Sequence, residues 1–280
     1  MKIWFQKHTI LGRNPWLDKA YDVHMRAILP AGTAVDFAGL PEGVYAGALP
    51  ADYVKYGQVE TFFSWFFADQ AVEAERQGYD AYVIGTSQDP GLDMARSLVS
   101  IPVVGYGQSV FGLLHDQGLR FGVVGFIPEL EEVIRRNLTS YGFSSRCAGF
   151  EYLADGRQTV EKALRDGDAG DLVAVMEAAA RRLRDRGAQV IVPGEGLPNE
   201  VLWASGVRDL AGLPFADANG LSVLAAELLA RTRSLGLWAP GSDGYATRRV
   251  PASEVDRLRA IFSPHTRVAH GQQQDGRLSS

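Results

Sequence analysis

Cysteine occurs once in the 280 residues, at Cys147, which excludes an intramolecular disulfide, a cysteine-built zinc site and a Cys-x-x-Cys redox centre. Basic charge is short as well: 28 Lys and Arg against 33 Asp and Glu leave a net charge of −5. Nucleic acid and anionic membrane, which favour a basic face, are therefore not expected as partners. Long apolar runs are also missing. Met1 to Thr9 lacks the apolar stretch of a secretory signal. Leu221 to Ala230 is broken by Glu227 and falls far short of the roughly 20 residues that span a bilayer. The expectation is a soluble, cytoplasmic protein. His24, His115, His265 and His270 share no metal-ligand spacing, so no metal site is expected. Gly105-Tyr-Gly-Gln-Ser lacks the third glycine of a dinucleotide loop, and Gly-x-Ser-x-Gly is absent, which argues against a nucleotide site and an α/β-hydrolase elbow.

What is present is an ordinary globular composition, 46% hydrophobic and 22% charged, with short apolar runs alternating with amphipathic stretches. The runs predict strands at Ile3–Phe5, Ala34–Phe37, Ala81–Ile84, Val103–Val104, Arg120–Val124, Gly149–Leu153, Val190–Val192 and Phe215. Helical patterns cover Pro15–Ile28, Tyr56–Gln77, Pro90–Leu98, Pro128–Tyr141, Gly170–Arg186, Val201–Leu210 and Leu221–Leu235. Strand–helix alternation of this kind reads as an α/β fold with parallel sheets.

The chain also repeats itself. Gly78–Thr86 matches Gly187–Glu195, and Ile101-Pro-Val-Val matches Leu213-Pro-Phe-Ala. Ser109-Val-Phe-Gly matches Ser222-Val-Leu-Ala, Lys2-Ile-Trp-Phe lines up with Arg120-Phe-Gly-Val, and Thr33–Leu40 with Cys147–Ala154. Five matches in one order predict two similar units of about 115 residues each, an ordinary domain size. Residues 237–280 then form an extension, with a helix at Ala252–Phe262 and a disordered polar tail from Gly271.

In parallel α/β sheets, ligands bind at the carboxyl edge of the strands. The repeat puts two Gly- and Pro-rich loops there, Gly85-Thr-Ser-Gln-Asp-Pro-Gly91 and Pro193-Gly-Glu-Gly-Leu-Pro198, whose backbone N–H groups can face a ligand. Asp89-Pro-Gly-Leu92 with Ala95-Arg96, and Val190-Ile-Val-Pro-Gly-Glu195-Gly, resemble the two active-site segments of hydantoin racemases, members of the aspartate/glutamate racemase superfamily. Arg120-Phe-Gly-Val-Val and the helix ending at Tyr141-Gly-Phe143 resemble the start of their second domain, so the likeness covers roughly 1–236. It implies two pseudo-symmetric flavodoxin-like domains, 1–105 plus about 218–236 and 106–217, facing each other across a cofactor-free cleft.

The family racemases place one cysteine in each loop, and the two thiols act on opposite faces of a carbon. At those positions this chain has Thr86 and Glu195. An aliphatic hydroxyl is too weak an acid to replace a thiol, whereas a carboxylate serves as acid or base. Two-thiol racemisation is thus excluded, and one-base chemistry through Glu195 is expected. Where hydantoin racemases read Asn-Pro-Asn-Thr, this chain reads Gln6-Lys-His-Thr9, which places His8 and Thr9 at the cleft. His8 is a candidate donor to a substrate carbonyl or a second proton carrier. Gly85-Thr-Ser87 resembles a triplet of arylmalonate decarboxylases whose hydroxyls hold a carboxylate.

The site expected from the sequence has Glu195, Thr86 and His8 as catalytic residues, with Thr9, Ser87, Gln88, Gly194, Gly196 and Ser109 binding substrate. The substrate is a small carboxylate or cyclic amide, handled by proton transfer next to a carbonyl in an isomerase- or lyase-type reaction. A hydrolase, with Glu195-activated water or a Thr86 or Ser87 nucleophile, and a non-catalytic binding protein are the alternatives. Thr61-Phe-Phe-Ser-Trp-Phe-Phe67 is apolar around the whole helix, as in a buried helix or a subunit interface, and a homo-oligomer is expected.

Overall fold

The computed structural model describes residues 1–262 apart from Ala48, Ser242 and Ala246. His265, His270 and the tail from Gly271 lie outside the described residues. Strands β1 (Lys2–Lys7), β2 (Ala34–Ala38), β3 (Ala81–Gly85) and β4 (Val103–Gly105) form a parallel sheet in the order β2-β1-β3-β4. Helices α1 (Pro15–Ile28), α2 (Ala51–Val54), α3 (Gly57–Arg76) and α4 (Leu92–Leu98) connect these strands. A second parallel sheet has β5 (Phe121–Gly125), β6 (Cys147–Tyr152) and β7 (Val190–Pro193) in the order β6-β5-β7. Phe215 bridges in parallel to Ile191, at the place the fourth strand holds in the first sheet. The remaining helices are α5 (Tyr106–Asp116), α6 (Leu130–Tyr141), α7 (Gly156–Asp166), α8 (Gly170–Asp185), α9 (Gly196–Ala204), α10 (Ala218–Ser234) and α11 (Ala252–Phe262).

Both faces of the first sheet are covered, and the strands are apolar on both sides for that reason. Ile3 and Phe5 of β1 join Ala81 and Val83 of β3 in one core, while Trp4 joins Tyr82 and Ile84 in a second core on the opposite face. Each large side chain so buried contributes about 1.5–3 kcal/mol. Helix α1 begins where Asn14 accepts from the Leu17 N–H, with Pro15 in the first turn, where its missing N–H costs nothing. Helix α10 packs on β1, β3 and β4, so the chain returns to the first sheet after completing the second. The segment after α10 is fastened to the same half. The Arg249 guanidinium donates to the carbonyls of Arg96, Ser97 and Val99 at the end of α4, and Arg259 of α11 pairs with Asp69 of α3.

One local expectation is corrected. The helix read over Val201–Leu210 is α9, which starts at Gly196 and stops at Ala204. Pro198 does not prevent the early start because first-turn N–H groups have no intrahelical acceptor. Residues 209–214 instead form a hairpin of β8 (Asp209–Leu210) and β9 (Leu213–Pro214) around Ala211 and Gly212, with φ of 55° and 79°. Positive φ at both central residues is what the twist of a two-residue hairpin requires. Helix α7, which the helical patterns above did not include, opens on Gly156 and buries Val160, Ala163 and Leu164 on one face. A Cβ at Gly156 would lie 2.8 Å from the Phe126 side chain and 2.9 Å from that of Leu153. Helix α3 buries Phe63 and Phe67 and leaves Phe62 68% exposed.

Candidate active site

The β1–β3 register sets Lys7 opposite Gly85, so His8, Thr9 and Thr86 leave adjacent strands at one carboxyl edge. In the second sheet Val124 lies opposite Pro193, which brings Phe126, Ile127 and Glu195 together in the same way. The two edges enclose an inner cavity of about 40 Å³. Lys7, His8, Thr9, Thr86 and Gln88 line it from the first half, and Phe126, Ile127, Glu195 and Gly196 from the second. An outer cavity of about 180 Å³ shares His8, Val54, Gln88 and Leu130 with it and leads outward between α3 and α6.

Glu195 is 8% exposed and stands immediately before α9, without capping it. Its carboxylate accepts from the Phe126 N–H at 3.1 Å and from the Ile127 N–H at 3.2 Å. Burial pushes the carboxyl up to about 8, against the opposing pull of those two amides. Gly125 leaves room for the group, since a Cβ there would lie 3.0 Å from Glu195 Oε1. The result is a carboxyl that exchanges its proton near neutral pH.

On the facing edge, Thr86 Oγ1 donates to Gln88 Oε1 at 2.9 Å. With that proton committed, the His8 Nδ1–H at 3.4 Å donates to Thr86 Oγ1, and the Nε2 lone pair has no partner. The imidazole packs against the rings of Phe63 and Phe67, at 4.3 and 5.5 Å between centroids, and burial pushes it down to about 3. It is neutral at physiological pH. Thr9 Oγ1 is buried without a partner as well. The carbonyl of Gln88 accepts from Asn137 of α6, which ties this loop to the second half.

Of the nine residues expected at the site, His8, Thr9, Thr86, Gln88, Glu195 and Gly196 line the inner cavity. Ser87, Gly194 and Ser109 do not. Ser87 is buried with its hydroxyl unpartnered, and its carbonyl lies close to Gly107 of α5. Gly194 donates to the Val124 carbonyl, and a Cβ there would lie 3.2 Å from the Gly125 Cα. The Ser109 hydroxyl donates back to the Tyr106 carbonyl of its own helix at 3.1 Å. Cys147 begins β6 away from the cavity, and burial pushes its thiol up.

Asp89-Pro-Gly-Leu92 fastens the first loop. Asp89, at φ 47°, accepts from the N–H groups of Gly107 and Gln108 in the first turn of α5, at 2.9 and 2.8 Å, and from the Tyr141 hydroxyl of α6 at 3.0 Å. Burial nevertheless pushes this carboxyl up to about 7. Behind the second loop, His24 lies 3.0 Å from Glu200 and 2.7 Å from Asp217 and stacks on Trp203. Burial disfavours charge on that ring, but the two carboxylates outweigh it and push it up to about 9. Asn219 donates to the Gly196 carbonyl and to Glu200, both at 3.0 Å, which holds the start of α9 beside Glu195.

Sequence reading missed the Phe126 and Ile127 amides, although the match of Lys2–Phe5 with Arg120–Val123 already made the loop after β5 the counterpart of His8-Thr9. It also missed Lys7 and the His24 network, whose members are spread from 7 to 219 and share no spacing. Among the described residues no group of three or more His, Cys, Asp or Glu is arranged to hold a metal ion, and no helix is long and apolar enough to cross a membrane.

The family model for Asp/Glu/hydantoin racemases matches residues 25–226. The hydantoin racemase of Rhizobium meliloti is 28% identical over 189 residues, covering 67% of this chain and 71% of that enzyme. That of Pseudomonas sp. strain NS671 is 28% identical over 161 residues, which cover 58% of this chain and 62% of its own length, a little under two thirds. Allantoin racemase from Klebsiella pneumoniae superposes with a TM-score of 0.68 at 23% identity, covering 90% of this chain and 94% of that one, and so shares the fold. Two matched parallel sheets with a cleft between their carboxyl edges, and a family model that spans most of the chain, place this protein in the Asp/Glu/hydantoin racemase family.

Proposed function

We propose that the chain catalyses cofactor-independent proton transfer at a carbon next to a carbonyl, with Glu195 as the base and a small cyclic amide as substrate. The observation that carries this reading is the Glu195 carboxyl itself, buried on the inner cavity, held by two backbone amides and poised to ionise near pH 8. Neither cleft loop carries a thiol, so the base is a carboxylate. A cyclic amide suits the facing wall better than a carboxylate does. The His8 Nε2 lone pair needs a donor, which a ring N–H supplies and a carboxylate does not, while the Thr9 hydroxyl can donate to a ring carbonyl. His8 at about 3 is a weak base, so it holds substrate in preference to carrying a proton.

Hydantoin racemases among the relatives make 5-substituted hydantoins the first compounds to test. In D2O the enzyme should place deuterium on the ring carbon between the carbonyl and the amide nitrogen, read by proton NMR. The Glu195→Gln variant should lose about 10²–10⁴-fold in exchange rate, the usual span for a general base, while still binding the compound. Exchange at the native rate in that variant would sink the mechanism. Label from H2 18O in a new carboxylate would support hydrolysis instead. The hydrolase reading is weaker because the Thr86 proton is committed to Gln88, which leaves His8 Nδ1 as a donor and not as an activating base.

A further inference from the structure

Lys7 ends β1 with its side chain 2% exposed, and it lines the inner cavity with Glu195. Its ammonium lies 2.5 Å from Asp18 Oδ1 and 4.4 Å from the centre of the Tyr21 ring. An ammonium has three N–H donors. Asp18 Oδ1 is the one acceptor it meets among the described residues, and the other Asp18 oxygen accepts from the Gly12 N–H at 2.7 Å. Asp18 is itself 28% exposed and partly screened by solvent. A buried cation is costly to keep, and an apolar residue would fill the end of a strand without that cost. Burial lowers the amine's proton affinity on balance, with Asp18 and Glu200 opposing it.

The structure assigns Lys7 as a further catalytic residue, the oxyanion holder of the cleft, whose free N–H donors take the carbonyl oxygen of a cyclic amide as it becomes an enolate. When Glu195 takes the proton from carbon, the C–H electron pair forms the C=C bond and the carbonyl π pair moves to oxygen. The Lys7 ammonium donates a hydrogen bond to that oxygen without giving up its proton. Return of the proton from Glu195 to carbon reverses both shifts. In a buried site a fixed cation is worth far more to a developing anion than in water, and it needs no reorganisation. The Thr9 hydroxyl, also unpartnered on this wall, is neutral and cannot supply that term.

The inference rests on the proton-transfer reading for what the oxygen does, and its test is a binding measurement that needs no turnover. Barbiturate is a cyclic amide that is already an enolate at neutral pH; dihydrouracil has the same ring size and no charge. By calorimetry, native protein should bind barbiturate and Lys7→Met should bind it about tenfold or more weakly, with dihydrouracil affinity changed by less than about twofold. Asp18→Asn keeps the amine but leaves its burial unopposed, so its barbiturate affinity should fall more steeply than that of native protein as pH rises from about 6 to 9. That variant also decides the matter should Lys7→Met fail to fold. Equal barbiturate affinity in native and Lys7→Met protein, no barbiturate binding by the native protein, or an Asp18→Asn affinity with the native pH dependence would each overturn the assignment. Glu195→Gln separates the two readings, since it should keep barbiturate affinity and lose exchange. Lys7-dependent barbiturate binding in a native protein that exchanges no hydantoin proton would overturn proton transfer and leave the Lys7 assignment standing.

Discussion

At position 195 a carboxyl stands in a loop that resembles the thiol-bearing loop of hydantoin racemases, and burial raises it to about 8, near the ordinary range of a thiol. The base form of Glu195 therefore accumulates as pH rises through about 8, and kcat/KM for hydantoin exchange should climb to a plateau above that value. A stopped-flow or NMR pH profile checks this, and a flat profile across that range would contradict it. Thr86 offers no comparable group on the facing wall. One base returns the proton to the face it came from, so deuterium exchange should outpace loss of optical rotation. Thr86→Cys supplies a second acid at that wall and should raise inversion relative to exchange, measured by polarimetry alongside NMR. An unchanged ratio would show that position 86 does not face the reacting carbon.

Among the elements, the loop between β3 and α4 depends on two residues that the motif names but does not explain. Asp89 gathers three donors from α5 and α6, so Asp89→Asn loses acceptors and sets an amide N–H2 against N–H groups. A loss of about 1–3 kcal/mol in guanidinium unfolding is expected from leaving such donors unsatisfied. Gly91 has φ 69°, and a Cβ there would overlap the Ser64 carbonyl of α3. Gly91→Ala should therefore cost about 1–3 kcal/mol through strain and a displaced helix. Both variants should lower exchange as well, because Thr86 and Gln88 lie just before them on the same loop. The exposed pair of Glu60 on α3 and Arg136 on α6 spans the outer cavity between the two halves. Like most surface pairs it should contribute no more than about 1 kcal/mol, so Arg136→Ala ought to leave the unfolding midpoint nearly unchanged.

For the molecule as a whole, three buried acidic and histidine side chains bind protons more tightly in the fold than in the unfolded chain. Glu195 moves from 4.5 to about 8, Asp89 from 3.8 to about 7 and His24 from 6.5 to about 9. In each window the folded state holds a proton that the unfolded state has released, so stability falls as pH rises, by up to about 1.4 kcal/mol per pH unit per group. Asp217 and His8 are shifted the other way: burial raises Asp217 but His24 and its other donors outweigh that, and burial takes His8 from 6.5 to about 3. The His8 contribution is therefore lost as pH falls below 6.5, and that of Asp217 below the ordinary carboxylate range. Melting temperature should then be highest on the mildly acidic side and decline toward pH 9, where His24 releases its proton. Glu195→Gln removes one of these groups and should flatten the decline between pH 4.5 and 8, as differential scanning calorimetry would show. An identical decline in the variant would mean that the Glu195 carboxyl is not buried as described.

What the sequence determined alone was the strands, most of the helices and the pairing of two loops, which rest on local pattern and on the repeat. Alternating β-branched runs placed strands within a residue or two, because a strand apolar on both faces leaves a contiguous signal. The repeat predicted two matched sheets, and the loops at their carboxyl edges pointed to Thr86 and Glu195 without any contact being known. Tertiary structure decided the rest. Ser109 looks like a helix-terminus donor in sequence, but its hydroxyl is satisfied within α5. Lys7 reads as an ordinary strand-end lysine, and only the tertiary fold buries it on the cavity that Glu195 also lines. Burial is what gives Glu195, Asp89 and His24 their proton affinities, and burial depends on which distant segments pack together, a property that no short stretch of sequence carries.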